Sequence, residues 1–279
     1  MTYKIIGDSC LDLTEELKKD SRFQMVPLTL QVDNVQVIDD ENFEQKSFLQ
    51  LVKNSVECPK TACPSPEKFK EAYECDAEAV FVVTLSSHLS GTHNAALLGK
   101  ELYEEEHGTD RHIAVIDSES ASSGELNIAL KIQELCEQGL DFDEIVAEAE
   151  RYRDSMRTFF VLETLDFLRK NGRLTGLQAF FATALNIKPI MGADKGVIIK
   201  LDQARGIGKA LTRMVEVALQ NLTDSSDKRL IIAHCNNRER AEQVKEMMCR
   251  QRSFKEVVIT NTAGVATVYA GDGGIIVTL

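Results

Sequence analysis

"AVFVVTLSSHLSGTHNAA", residues 79–96, decides how the chain is read. Its opening run, "AVFVVTL", is apolar almost throughout and rich in valine. A run without polar alternation describes a strand covered on both faces, as in a parallel sheet. Hydroxyls then crowd together: Ser86, Ser87, Ser90 and Thr92, with His88, His93 and Asn94 among them. A helical run, "ALLGKELYEEE", follows. In doubly wound sheets ligands gather beyond the carboxyl ends of the strands, which is where this loop falls. A helix opening near Ser90 turns free N–H groups toward the loop and favours an anion. The same residues also suit a plain capped helix with Ser90 as N-cap. A serine nucleophile is the weakest reading, since no GxSxG and no partner base accompany it.

The surrounding chain repeats the strand–helix rhythm. "YKIIGD" and "RHIAVIDS" read as further buried strands, and "FQMVPLTLQV" and "VQVIDD" as strands around Asp33-Asn34. "DLTEELKKD" has a cap-like helical start. "NFEQKSFLQLVKN", "SPEKFKEAYE" (Ser65 as N-cap, Pro66 at the first helical position) and the runs near 121–138 and 142–155 read as helices. The second half changes pattern. "TFFVL", a hairpin-like pair around Ala193-Asp194-Lys195, "RLIIAHC", "EVVITN" and "GGIIVTL" are its strands. "TLDFLRKN", "LQAFFATALN", "GIGKALTRMVEVALQNL" and 237–251 are its helices. The expected fold is α/β with two domains: an N-terminal three-layer α/β/α domain with a parallel sheet (1–157) and a C-terminal α/β domain with a mixed sheet (158–279).

The chain has 279 residues and a net charge of −12, a field that opposes nucleic-acid phosphates. No apolar stretch approaches the ~18 residues of a membrane span, and "MTYKIIGDSC" has no signal-peptide pattern, so a cytoplasmic protein is expected. The seven cysteines and five histidines are scattered, without CxxC or HExxH spacing. Reduced thiols and no metal are expected. No GxxxxGK[ST] and no GxGxxG after the first strand points to a nucleotide. Other polar loops stand beside the first: "KTACPS" before a capped helix, "DSESASSGEL" after strand 112–117, Arg205 in "QARGIGKA", and the glycine-rich connection "YAGDGG".

Taken in order, these segments resemble the DegV family of bacterial fatty-acid-binding proteins. "GDSCLDL" is similar to its opening D-S-x-x-D-L, "KTACPSPEKF" to its T-S-Q-P-S segment, and "TLSSHLSGTHNAA" to its S-S-x-L-S-G-T-x-x-x-A signature. "NGRLTGLQAFFATALNIKPIM", with the later "GVIIKLDQARGIGKA", is similar to its G-R-[IL] and K-P-[IL] pattern. The resemblance implies two α/β domains with an apolar tunnel between them. A long-chain fatty acid would lie there with its carboxylate held by hydroxyls. It implies no cofactor beyond that ligand, at most transient membrane contact, and a partner fatty-acid kinase subunit that phosphorylates the carboxylate. Carried over by motif, Thr61 and Ser87 would hold the carboxylate, Ser86 and Asn94 would support the loop, and Arg205 would lie near the head group or partner surface. Aromatic and aliphatic residues of "LQAFFATALNI" would line the tunnel, or else be ordinary core. Two departures stand out: Ala62 and Cys63 replace the usual Ser and Gln, and Tyr269 occupies the position of a family histidine. The alternatives are a serine-dependent hydrolase, a phosphotransferase-like enzyme, or a lipid-responsive regulator.

Overall fold

The computed structural model describes residues 1–174, 186–220 and 222–279. The chain begins with β1 (Tyr3–Asp8), a 3-10 turn (Leu17–Lys19), β2 (Phe23–Val26), β3 (Thr29–Val32), β4 (Val35–Ile38) and α1 (Gln45–Asn54). β5 (Lys60–Ala62), α2 (Pro66–Tyr73), β6 (Ala79–Thr84), α3 (Thr92–His107), β7 (His112–Asp117), α4 (Ser123–Glu137) and α5 (Phe142–Ser155) follow. β1, β2, β6 and β7 form a parallel sheet in the order β2-β1-β6-β7. All six residues of β6 are buried because both faces are covered. Phe81 and Val83 point with Ile5 into the core under α4 and α5. Val80 and Val82 point with Ile6 toward Phe69, Tyr73 and Tyr103 of α2 and α3. Each such large apolar side chain contributes about 1.5–3 kcal/mol by leaving water, so removing Phe81 would open the layer under α4 and α5.

The second half supplies β8 (Thr158–Val161), α6 (Asp166–Lys170), β9 (Ile187–Asp194), β10 (Val197–Arg205), α7 (Ile207–Leu219), β11 (Arg229–His234), α8 (Arg238–Cys249), β12 (Glu256–Asn261), α9 (Gly264–Ala270) and β13 (Ile275–Thr278). Its sheet is mixed, in the order β10-β9-β8-β13-β11-β12; among the described pairs β11–β12 is parallel and the others are antiparallel. Phe159 and Val161 face α7 and α8, whereas Phe160 and Leu162 face the opposite side with Leu168 and Ile198. Period two along β8 therefore separates a closed core from the face that carries the site. The β9–β10 hairpin turns at Lys195-Gly196, both at positive φ (46° and 80°), one step beyond the expected turn. Among the described residues no helix is long and apolar enough to cross a membrane.

The fold class matches expectation, with local corrections. "FQMVPLTLQV" divides at Pro27-Leu28. β2 stays in the parallel sheet, while β3 joins β4 and β5 in a separate antiparallel sheet of order β4-β3-β5. Proline has no N–H for a continuing ladder, so the chain changes sheets there. "KTA", expected as loop, is β5 for the same reason: β3 offers it an edge. "DLTEELKKD" contracts to one 3-10 turn. "GVATVYA", not expected as a helix, is α9. Of the helix expected over 177–186 and its tunnel-lining candidates, residues 177–185 lie outside the described residues, while Asn186 is a turn residue and Ile187 begins β9.

Candidate functional site

A cavity with about 820 Å³ of empty space, part of it open to solvent, lies where the loops after β1, β6 and β7 meet the Phe160 face of the mixed sheet. Most of its wall is apolar: Leu28, Leu85, Phe160, Leu162, Ile198 and Val265 are among its residues. An apolar wall with a few convergent polar groups is the form of a small-molecule site. Polar groups in the wall include Thr61, Ser90, Arg173 and Tyr269, and separately Ser120, Ser122 and Thr158.

Each of these is positioned by local structure. Thr61 is carried by β5, paired opposite Leu30 of β3. Tyr269 stands near the end of α9, and its hydroxyl and that of Thr61 are 2.9 Å apart. The start of α9 is fastened by Asp39, which accepts the amides of Gly264 and Val265 at 2.6 and 2.8 Å. A Cβ at Gly264 would fall 2.5 Å from that carboxylate, so glycine is what lets Asp39 approach. Arg173 follows α6. Its Nε donates to the Leu89 carbonyl at 3.1 Å, another of its nitrogens donates to Asn171, and its guanidinium carbon is 5.9 Å from the Tyr269 ring centre. Among the described residues no carboxylate pairs with Arg173. Ser90 lies beside Leu89, its hydroxyl 2.8 Å from that of Thr92. A guanidinium held only by neutral carbonyls, with three hydroxyls in the same wall, is suited to an anion.

The structure brings Thr61 and Tyr269 together in the wall but not the other expected residues. Ser86 is buried, and its hydroxyl donates to the Gly196 carbonyl at 2.9 Å, tying the β6–α3 loop to the β9–β10 hairpin. Ser87 is exposed and outside the lining, and its amide faces the Asp117 carboxylate at 3.2 and 3.3 Å. Asn94 is exposed on α3, and Arg205 is exposed at the end of β10. Ser90, read as an N-cap, is displaced from that role by Gly91 and sits in the wall instead. Arg173 was present in the quoted "NGRLTG" without a role. Its signal was an arginine between two chain-breaking glycine-containing turns. Cys10 also lines the cavity, its thiol pushed well above the ordinary range by burial and then by Glu125, Asp12 and Asp8. Among the described residues no histidine side chain bonds to a serine of the loop; His93 Nδ1 lies 3.1 Å from the Thr84 hydroxyl, and His88 reaches Ser86 only through its backbone amide, at 3.3 Å. Among the described residues no group of three or more His, Cys, Asp or Glu side chains is placed to hold a metal ion.

A family model described as uncharacterised proteins of the DegV family matches residues 2–278. A DegV domain-containing protein of Streptococcus pneumoniae is 34% identical over 282 residues, covering 99% of this chain and 98% of its own. The crystal structure of a DegV family protein from Ruminococcus gnavus with vaccenic acid is similar at 48% identity and a TM-score of 0.97, with 100% of both chains covered. The Streptococcus pneumoniae Fatty Acid Kinase (Fak) B3 protein, loaded with linoleic acid, is similar at 32% identity and a TM-score of 0.90, covering 100% of this chain and 99% of its own.

Proposed function

The chain belongs to the DegV family, and from that premise we propose that it binds a long-chain fatty acid in the cavity between its two larger sheets. The observation that carries the reading is the make-up of the wall: an apolar enclosure with Arg173, Thr61, Ser90 and Tyr269 in one lining. The tail gains about 0.8 kcal/mol for each CH₂ withdrawn from water. The carboxylate meets the guanidinium and accepts from the hydroxyls, which fixes its direction. Both sides of the 157/158 division contribute to the head-group end, Thr61 and Ser90 from the first, Arg173 and Tyr269 from the second. Residues 158–279 also close much of the apolar wall through Phe160, Leu162 and Ile198.

The protein acts as a carrier without turnover of its own, and it presents the carboxylate to a fatty-acid kinase. Similarity to the Fak B3 protein supports the kinase partner. The engagement of the Ser86 hydroxyl by Gly196, and the lack among the described residues of a histidine side chain bonded to a loop serine, support the carrier over a serine hydrolase. Organic extraction of the natively purified protein followed by mass spectrometry should yield a long-chain fatty acid near one equivalent. Stripped protein should take up added oleate or palmitate. Neither extraction nor uptake would leave the reading without support. Transfer of phosphate to the bound acid by a fatty-acid kinase, dependent on this protein, tests the partner separately.

A further inference from the structure

Behind the cavity wall lie four buried acids, Asp8, Asp12, Asp39 and Glu125, each at most 3% exposed and none in an ion pair among the described residues. Three are well supplied with donors. Asp8 accepts the amides of Leu85 at 2.7 Å and Cys10 at 2.9 Å. Asp12 accepts the Ala263 amide at 2.6 Å and the Ser122 hydroxyl. Asp39 holds the start of α9. Glu125 differs. In the first turn of α4 its Oε1 accepts a single long bond from the Ser122 amide at 3.3 Å, and its Oε2 meets no donor among the described residues. Its ionisable neighbours are instead the Asp8 carboxyl and the Cys10 thiol. Two ionised carboxylates do not share a buried contact, and no metal cluster exists there among the described residues to relieve it. A proton between them does.

We propose that Glu125 is a neutral carboxylic acid at neutral pH, that it donates its proton to the Asp8 carboxylate, and that this shared proton fixes the loop amides behind the cavity wall. The two amides that Asp8 accepts favour its charged form, so the proton belongs to Glu125. Burial pushes both acids up, Asp8 to about 6 and Glu125 well above the ordinary range, with the Asp8 charge the next cause for Glu125. Asp12 acts on Glu125, and Asp39 on Asp8, in the same direction; Lys18 acts on Asp12 in the other. Of the elements packed on α4, β6 and β13 carry no ionisable side chain. β11 keeps Arg229 paired with Glu134 and Glu256 and has His234 at its far end, and α5 turns Tyr152 to Asn127.

The sign of the pH effect follows. The unfolded chain ionises Glu125 near the ordinary carboxyl value of about 4.3, while the fold retains the proton. The associated stability is complete below that value and is lost as pH rises toward and through the folded value. Glu125→Gln places an amide N–H where the acid O–H stood and cannot ionise. Melting curves of wild type and Glu125→Gln between about pH 5 and pH 9 should coincide at the acid end and separate on the alkaline side, the variant melting several degrees higher. Asp8→Asn, which turns a donor toward two amides, should melt below wild type throughout. A Glu125→Gln curve parallel to wild type, or below it at every pH, overturns the assignment; so does equal melting of the two amide variants. An infrared protonated-carboxyl band present in wild type at neutral pH and lost in Glu125→Gln supports it. If that variant does not fold, absence of the band in wild type overturns it. Only the last step rests on the fatty-acid reading: Cys10 and Ser122 line the cavity, so wild-type uptake of oleate should fall with the alkaline melting difference. Absence of uptake at every pH would count against the fatty-acid reading, while the melting comparison would still judge the proton.

Discussion

The β6–α3 loop and the corner where β5 meets α9 both carry hydroxyls, and they direct them differently. In the loop, the Ser86 hydroxyl is committed to Gly196 and the Ser87 amide to Asp117; Ser90 alone of its serines enters the cavity wall. In the corner, Thr61 and Tyr269 stand 208 residues apart in the chain, yet their hydroxyls meet at 2.9 Å with Arg173 over the Tyr269 ring. Density of hydroxyls in sequence marks a loop that needs many internal bonds. Hydroxyls and a cation converging from distant segments mark a place for a ligand.

This contrast is open to breakage by substitution, beginning with the charge. Arg173→Gln should weaken binding of a long-chain acid by about 10- to 150-fold, the range of about 1.5–3 kcal/mol for a hydrogen bond to a charged group. Binding of the matching fatty alcohol should hardly change, and titration of both ligands reads the difference. Equal loss for acid and alcohol would mean that Arg173 only packs. Next come Tyr269→Phe and Ser90→Ala, each expected near the lower end, about tenfold against the acid. If neither alters the acid-to-alcohol ratio, the corner is scaffolding. Ser86→Ala belongs to the other region: it removes the bond to Gly196 and should lower stability by about 0.5–1.5 kcal/mol in denaturant unfolding, with the ligand ratio unchanged. Smallest is Ser87→Ala, expected within about 0.5 kcal/mol in stability and without effect on acid binding, because the recorded contact of this exposed residue is through its backbone. A tenfold loss of acid affinity there would restore the carboxylate role that the family resemblance implies for Ser87.

What was legible in the sequence followed from short-range physics. "AVFVVTL" has no polar face, so only a doubly covered strand accommodates it, and β6 is buried at every residue. Ser65-Pro66 opens α2 as its capping preferences require. Thr61 was identified through its motif, but its strand was not, since β5 exists only because β3 presents an edge to it. Ser90 was misassigned because an N-cap and a wall residue look alike until the turn at Gly91 is known. Arg173 went unread because its environment is a carbonyl from Leu89, 84 residues away. The Tyr269–Thr61 meeting depends on α9, whose start needs Asp39 from a different part of the chain. Apart from Ser90, each miss is a long-range contact that no local pattern encodes.

Helix α4 has one more consequence. Every residue from Ser123 to Ala129 is buried. On one side the helix packs on Ile5 and Phe81. On the other, Ser123 meets the Thr278 hydroxyl at 2.6 Å and Asn127 donates to the Arg229 carbonyl at 3.3 Å. It is a party wall: both halves of the molecule build against the same helix. A fragment ending at residue 157 would keep the helix and expose the side meant for β11 and β13. Such a fragment should be poorly soluble alone, and the complementary fragment should lack a surface to fold against. The two pieces co-expressed should recover each other, since the missing partner for each is the other's unfinished face.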